Sequence, residues 1–372
     1  MVIGCGAPPL GKGQDKPLEE DEQRLWSTVA EEEKRLDQSG LLYGDQAVTG
    51  YLNEIMRRIS PPETTSGLFA VEVLVLKNPL LNAFAYPNGK IYVHTGMLAR
   101  IENEAQLATL LGHELTHATH RHAIQELRGA RRSGVALGVL RMIAIPFGLF
   151  GLAATSLGTI GYMGAVTGYS RAKEAEADQE GFVLMVKAGY SPQEAPKLFE
   201  HLKVELAFRK VDEPFFFGSH PHVQERIESY RSLLESQYAG QGGDIGTERY
   251  DAAMMPLIID NAETDIAIGR LSLAERDLQR VLQKNDDNAR AHFLLGEFRN
   301  RKEPGDAERR DEHYRQAIDR NPRMPDPHRA LGYSLLKQGD RYGGQAELQK
   351  YLELAPRAPD RAYVEQALKE SR

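Results

Sequence analysis

The chain has 372 residues, 41% of them hydrophobic and 27% charged, which is longer than one average domain and ordinary in composition for a globular protein. Against 53 Asp and Glu stand 46 Lys and Arg, and the net charge of -7 excludes the basic surface that a nucleic-acid partner requires. The single cysteine, Cys5, excludes an intrachain disulfide and a thiolate metal cluster.

Met1-Val2-Ile3-Gly4-Cys5 has the form of the end of a bacterial lipobox, in which a small residue precedes a cysteine that becomes lipidated. The basic and apolar parts of a signal peptide do not accompany it. Lipidation at Cys5 and an incidental cysteine in a floppy terminus both remain open. With Pro8, Pro9, Gly11 and Gly13 close behind, residues 1–18 form a flexible tether under either reading.

Glu19 to Gln38 carries many charges with apolar spacers at Leu25, Trp26, Val29 and Leu36, the pattern of a surface helix. A second helix is expected from Asp45 to Ile59, ended by Pro61-Pro62. Val71, Val73 and Val75 alternate within Phe69 to Leu76 and predict a strand. Ala83 to Tyr86 and Lys90 to His94 flank Pro87-Asn88-Gly89 and predict a hairpin. Helical spacing returns over Asn103 to Glu126, with Leu107, Leu110, Leu111 and Leu115.

Phe147 to Tyr169 holds no charged residue, and Val135 to Ile145 only Arg141, so residues 135–169 are long enough to span a bilayer. Their many glycines, Pro146 and the lack of a second candidate span favour a Gly/Ala-rich helical hairpin lying on the protein or the membrane surface over a true span. Ser191 to Leu234 is helical with a break near Asp212 to Pro221. The four glycines of Gln237 to Gly246 mark a boundary, which gives a domain at 19–236, a linker at 237–249 and a last domain at 250–372.

That last domain repeats itself. Gln279 to Phe298 aligns with Arg315 to Ser334 at a shift of 36, matching Asn285 with Asn321, Leu295 with Leu331 and Gly296 with Gly332. Tyr351 to Pro356 resembles Ala317 to Pro322 at a shift of 34. A helix-turn-helix unit with a Leu-Gly pair in its first helix and Asn-Pro or Ala-Pro after its second resembles the tetratricopeptide repeat. Such arrays usually bind peptides or proteins; a plain packing role is the alternative.

The chemistry points to Gly112-His113-Glu114-Leu115-Thr116-His117. Four residues along a helix place His113 and His117 on one face, where two imidazoles reach one ion. Glu114 lies about a hundred degrees round from His113, beside the metal, where its carboxylate can take a proton from water. His120 and Ala123 stand where a metzincin needs Gly and His. On a straight helix His120 lies about 10 Å from His113, and His122 points to the opposite side. Both are expected to be polar residues of the surface or to stand behind the ligands, outside the ligand set. In the acidic helix start Ser170 to Asp178, Glu174 and Asp178 share a face, so that one could bind metal while the other hydrogen-bonds a ligating histidine.

Together, Asn82-Ala83-Phe84-Ala85, Thr95 to Leu98, Glu104 to Ala108, the HExxH helix and Arg171 to Asp178 resemble the gluzincin metallopeptidases of the HtpX, prenyl-protein peptidase and BepA group, over roughly residues 20 to 235. The attached repeats narrow the likeness to the BepA-type periplasmic branch. The resemblance implies an α+β zincin fold, mainly α with a small sheet, followed by an all-α repeat domain. It implies one zinc per chain, with Glu174 as third ligand and Asp178 behind the ligands. Ser219-His220-Pro221 and Arg226 resemble the family's His-Pro segment and its later arginine. His220 and Arg226 would then steady the oxyanion, or His220 would occupy the open metal position at rest; His222 competes with His220 for either role.

The expected activity is peptide-bond hydrolysis with Glu114 as general base and Asn82 to Ala85 as a strand template for an extended substrate. That suits quality control of unfolded or misassembled envelope proteins in a bacterial periplasm. Outer-membrane anchoring would come through Cys5, peripheral membrane contact through residues 135–169, and a protein partner through the repeats. The rival readings are a repeat-based assembly factor with latent proteolysis and a protease inserted in the bilayer.

Overall fold

A computed structural model of the chain describes residues 18–62, 70–132, 169–208, 220 and 222–371. Cys5, the tether before residue 18 and the stretch from 135 to 168 lie outside the described residues, as do Ser219 and Pro221. No described helix is long and apolar enough to cross a membrane. The chain divides into two compact units, residues 1–254 and 255–372.

The first unit opens with α1 (Glu20–Ser39) and α2 (Gln46–Ile59). Asp45 caps α2, its side chain accepting from the amides of Ala47 and Val48. Three strands follow, β1 (Glu72–Leu76), β2 (Ala83–Ala85) and β3 (Lys90–His94), in the order β1-β3-β2. β1 runs parallel to β3 and β2 antiparallel to it, so the expected hairpin is present and β2 is an edge strand among the described residues. Gly89, at φ 97°, makes its turn.

α1 is less of a surface helix than its charge suggests. Val29 and Leu36 pack on Leu76, Phe84, Tyr86 and Tyr92 of the sheet. Three of its acids are buried as well, because each meets a donor: Glu32 accepts from Tyr86 Oη, Glu33 from Asn88 Nδ2, and Glu22 pairs with Arg121.

After α3 (Thr95–Arg100), α4 (Glu104–Thr119) is buried along its whole length. Asn103 caps it through the Gln106 amide. The predicted single helix to Glu126 is corrected here: α4 stops at Thr119, Arg121 takes the left-handed conformation at φ 59°, and α5 (His122–Arg132) begins anew. Then come α6 (Arg171–Lys187), α7 (Glu194–Phe208) and α8 (Val223–Gln237). α4 and α6 cross at Gly112 and Gly181: a Cβ on Gly112 would stand 2.8 Å from the Gly181 carbonyl oxygen, and one on Gly181 2.6 Å from the His113 amide nitrogen. The Gly-rich run is laid on this unit, with Ser191 N to Asp244 O at 2.9 Å and Ala105 N to Ile245 O at 3.1 Å.

α9 (Thr247–Ala267) contains the division between the units. The second unit continues with α10 (Leu271–Lys284), then pairs α11 (Ala289–Lys302) with α12 (Ala307–Arg320) and α13 (Pro325–Gln338) with α14 (Arg341–Leu354). α11 and α13 begin one repeat of 36 apart, as the aligned sequences require. Gly296 faces the Tyr314 ring with no room for a Cβ, and a Cβ on Gly332 would lie 3.1 Å from the Gly344 carbonyl oxygen. The glycines therefore set how closely each helix pair packs. α15 (Arg361–Glu370) closes the array through Val364 against Leu348 and Tyr351.

Candidate metal centre

Two helices build the centre. α4 presents His113 and His117 one turn apart, and the glycine crossing brings α6 close enough for Glu174 and Asp178 to meet them. Leu107, Leu110 and Leu111 anchor the other sides of α4 in the core, so the histidine face cannot rotate away.

His113 Nε2 and His117 Nε2 stand 3.0 Å apart. Glu174 Oε1 is 3.4 Å from His117 Nε2, and Glu174 Oε2 is 3.6 Å from His113 Nε2. His220 adds Nδ1, 3.0 Å from His113 Nε2 and 3.1 Å from Glu174 Oε1. One donor atom from each of these four buried residues lies within 4.8 Å of every other. Two imidazole nitrogens and a carboxylate turned on one point, with a further histidine alongside, fit a divalent cation of intermediate softness. Glu174 Oε2 makes no hydrogen bond inside this buried cluster, which leaves a lone pair for an ion.

Behind the donors Asp178 is held from three sides. It accepts from Arg226 Nε at 2.9 Å and Arg226 Nη2 at 2.6 Å, and from Tyr230 Oη at 2.8 Å. Its Oδ1 lies 2.9 Å from His113 Nδ1, the position of a partner that fixes a ligating ring. Burial pushes the Asp178 carboxyl up, but Arg226 and His113 bring it below its ordinary value. Glu174 behaves alike: burial opposes ionisation, and His220 and Arg226 overcome it, holding the carboxyl below the usual range. For His117 burial and the neighbouring His113 act together and push the ring well below its ordinary value, so it is a neutral donor. Burial pulls His220 down while Glu174 and Glu114 pull it up, and the acids prevail.

Glu114 is 1% exposed and neither carboxylate oxygen makes a hydrogen bond; Oε1 lies 3.4 Å from His220 Nε2. A buried carboxylate without hydrogen bonds beside this group of donors has the chemistry of a general base. Arg226 reaches the cluster from behind, Nη1 standing 3.3 Å from Glu174 Oε2, with its guanidinium 4.2 Å over the Phe199 ring. Asn82 and Ala83 are buried at the start of β2, and both amide atoms of Asn82 lack hydrogen bonds. A small cleft is lined by Ala85 and Tyr86 from this edge and by His117, Ala118, Arg121 and Tyr169. The sheet edge and a histidine of the donor cluster thus share one wall.

His120 lies apart from the cluster, 3.8 Å from Glu176. His222 is also outside it and accepts from Arg171 Nε at 3.2 Å. His122 needs a correction. Because the left-handed Arg121 breaks the helix, its ring is turned beneath His117 instead of away from it, Nδ1 to Nδ1 at 2.9 Å. Sequence reasoning missed Tyr230, although it lies one turn after Arg226 on α8 and i,i+4 spacing could have flagged it. It also missed Tyr169, whose ring stacks on His117 at 3.9 Å, and Gly181.

Residues 46–234 match peptidase family M48. The mitochondrial metalloendopeptidase OMA1 of Arabidopsis thaliana is 29% identical over 193 residues, 52% of this chain and 38% of that protein. The beta-barrel assembly-enhancing protease of Escherichia coli K12 is 28% identical over 207 residues, 54% of this chain and 41% of that protein. The mitochondrial metalloendopeptidase OMA1 of Schizosaccharomyces pombe is 30% identical over 217 residues, 54% of this chain and 60% of that protein. The chain therefore spans about half the length of the curated relatives it matches. The matched half contains His113, Glu114, His117, Glu174, Asp178, His220 and Arg226, and by that match the chain belongs to peptidase family M48.

Proposed function

We propose that the chain is a zinc-dependent metalloendopeptidase that hydrolyses peptide bonds of unfolded or misassembled envelope proteins. The observation that carries this reading is the four-donor cluster with the buried Glu114 carboxylate, which makes no hydrogen bond, beside it. His113, His117 and Glu174 would hold one zinc, the two-histidine, one-carboxylate set of catalytic sites. A zinc held there would supply Lewis acidity for the scissile carbonyl and for water. Glu114 is placed to take a proton from the attacking water and to pass it to the leaving amine. Asp178 keeps the His113 ring in place, and Arg226 holds Asp178.

His220 Nδ1, 3.0 Å from His113 Nε2, supports a resting site whose fourth donor is His220 itself. On displacement by substrate, His220 is placed to steady the oxyanion. The β2 edge and the cleft it shares with His117 support Asn82 to Ala85 as a template that pairs with an extended chain and reads little of its sequence. The helix pairs of the second unit, with Gly296 and Gly332 at their contacts, support tetratricopeptide-type repeats that recruit the substrate or a protein partner. A relative named for β-barrel assembly and the lipobox-like start support a periplasmic setting, with Cys5 as the anchor to the outer membrane.

The test is metal content together with casein cleavage by the full chain. We expect about one zinc per chain and a loss of about 10²–10⁴-fold in cleavage for Glu114→Gln with the metal retained. Higher activity in His220→Ala assigns the self-occupied resting site, and lower activity assigns the oxyanion role. A folded, metal-supplied protein that takes up no zinc refutes the proposal.

A further inference from the structure

The two histidines of α4 are backed differently. His113 Nδ1 meets the Asp178 carboxylate directly, at 2.9 Å. Among the described residues, no carboxylate meets His117 on its far side. Its Nδ1 is 2.9 Å from Nδ1 of His122, and His122 Nε2 is 3.3 Å from Glu176 Oε2. His122 is fully buried, and its ring stands at 77° to that of His117 with centroids 4.9 Å apart.

Two ring nitrogens 2.9 Å apart need one proton between them, since two lone pairs would repel and two N–H groups would clash. A His117 ring that gives its Nε2 lone pair to a metal must carry its proton on Nδ1. That N–H then donates to His122 Nδ1, which must be bare. His122 carries its proton on Nε2 and donates it to Glu176. The direction of every bond in the chain is fixed by the first.

We propose that His122 is the positioning residue for His117, passing the orienting pull of Glu176 to the metal-facing ring through a neutral imidazole. The backbone is built for it. Only the left-handed turn at Arg121 brings a residue five positions after His117 under its ring, and that turn is pinned by the buried pairing of Arg121 with Glu22 of α1. Glu176 is half exposed, so the chain ends in a solvated carboxylate, in contrast to the arginine-clamped Asp178 behind His113.

This inference rests on the proposed metal site, and its test separates the two. In the full-length protein, zinc affinity is measured by chelator competition, and cobalt-substituted protein by its visible absorption bands. His122→Phe removes the acceptor and fills the space. We expect its zinc affinity to fall about 10–100-fold and the cobalt bands to change shape. His122→Asn, which returns an acceptor to the Nδ1 position, should recover most of both. Wild-type affinity and an unchanged cobalt spectrum in His122→Phe overturn the proposal. If wild type binds no metal, the metallopeptidase reading fails first. A second measurement needs no variant: histidine ¹⁵N chemical shifts of the zinc-loaded protein should show His122 protonated on Nε2 and His117 on Nδ1. A His122 protonated on Nδ1 overturns the proposal even if every variant misfolds.

Discussion

Gly181→Ala should damage the proposed metal site without replacing any of its donor side chains. The added Cβ would stand 2.6 Å from the His113 amide nitrogen and 2.7 Å from the Gly112 carbonyl carbon. Ordinary contact begins near 3.4 Å, so α4 and α6 must separate by about 0.8 Å, and both contacts are backbone that no rotamer change relieves. Overpacking of this kind costs about 1–3 kcal/mol of stability. A metal site tolerates about 0.2 Å in its ligand distances, so a shift several times larger moves Glu174 out of reach of an ion held by His113 and His117. We expect zinc affinity at least about tenfold weaker, by analogy with loss of an orienting group. Urea unfolding of the metal-free protein and chelator competition on the folded protein read the two effects separately. Gly50→Ala, on α2 with nothing within 4 Å of the added carbon, is the control and should be neutral or stabilising by up to about 1 kcal/mol. A Gly181→Ala protein with wild-type stability and zinc affinity would refute the reasoning.

Four further outcomes are expected. Arg226→Met leaves Asp178 buried without its cation, and denaturant unfolding of the metal-free protein should show a loss of about 3–5 kcal/mol; a loss below about 1 kcal/mol would mean that Tyr230 and His113 suffice. Arg121→Met strands the buried Glu22 carboxylate and should cost about the same, read by the same assay. Burial pushes the Glu194 carboxyl up, but Lys197, Asn103 and Gln106 hold it below its ordinary value, so its stabilisation is complete above the unfolded value of about 4.3 and is lost as pH falls through the folded value. Glu194→Gln should therefore be less stable by about 1–3 kcal/mol at neutral pH, with the gap closing below about pH 4; a gap that persists in acid contradicts this. Gly296→Ala drives a methyl into the Tyr314 ring and should lower the stability of the second unit by about 1–3 kcal/mol in thermal unfolding.

Much of the centre was legible because helical spacing is a local rule. Residues four apart share a face whatever surrounds them, so His113 with His117 and Glu174 with Asp178 could each be paired from the sequence. The hairpin was legible because Asn88-Gly89 favours one turn, and the repeat distance because Gly296 and Gly332 recur. What the sequence left open was whether Glu174 or Asp178 faced the two histidines of the HExxH helix. Resemblance assigned Glu174, and in the fold it is Asp178 that receives Arg226 and Tyr230 while Glu174 faces the two Nε2 atoms.

The helix break at Arg121 was not legible. Nothing in His120-Arg121-His122 is a helix stop, and a straight helix sends His122 away from His117. The left-handed turn is held by Glu22, 99 residues earlier in the chain, and only tertiary contact supplies that partner. The sequence alone thus determined which pairs of side chains share a helix face, because 3.6-residue periodicity needs no distant neighbour. The tertiary structure decided how closely α4 meets α6, which acid turns inward and what stands behind each histidine, because those depend on two glycines and a buried ion pair brought together from far apart in the chain.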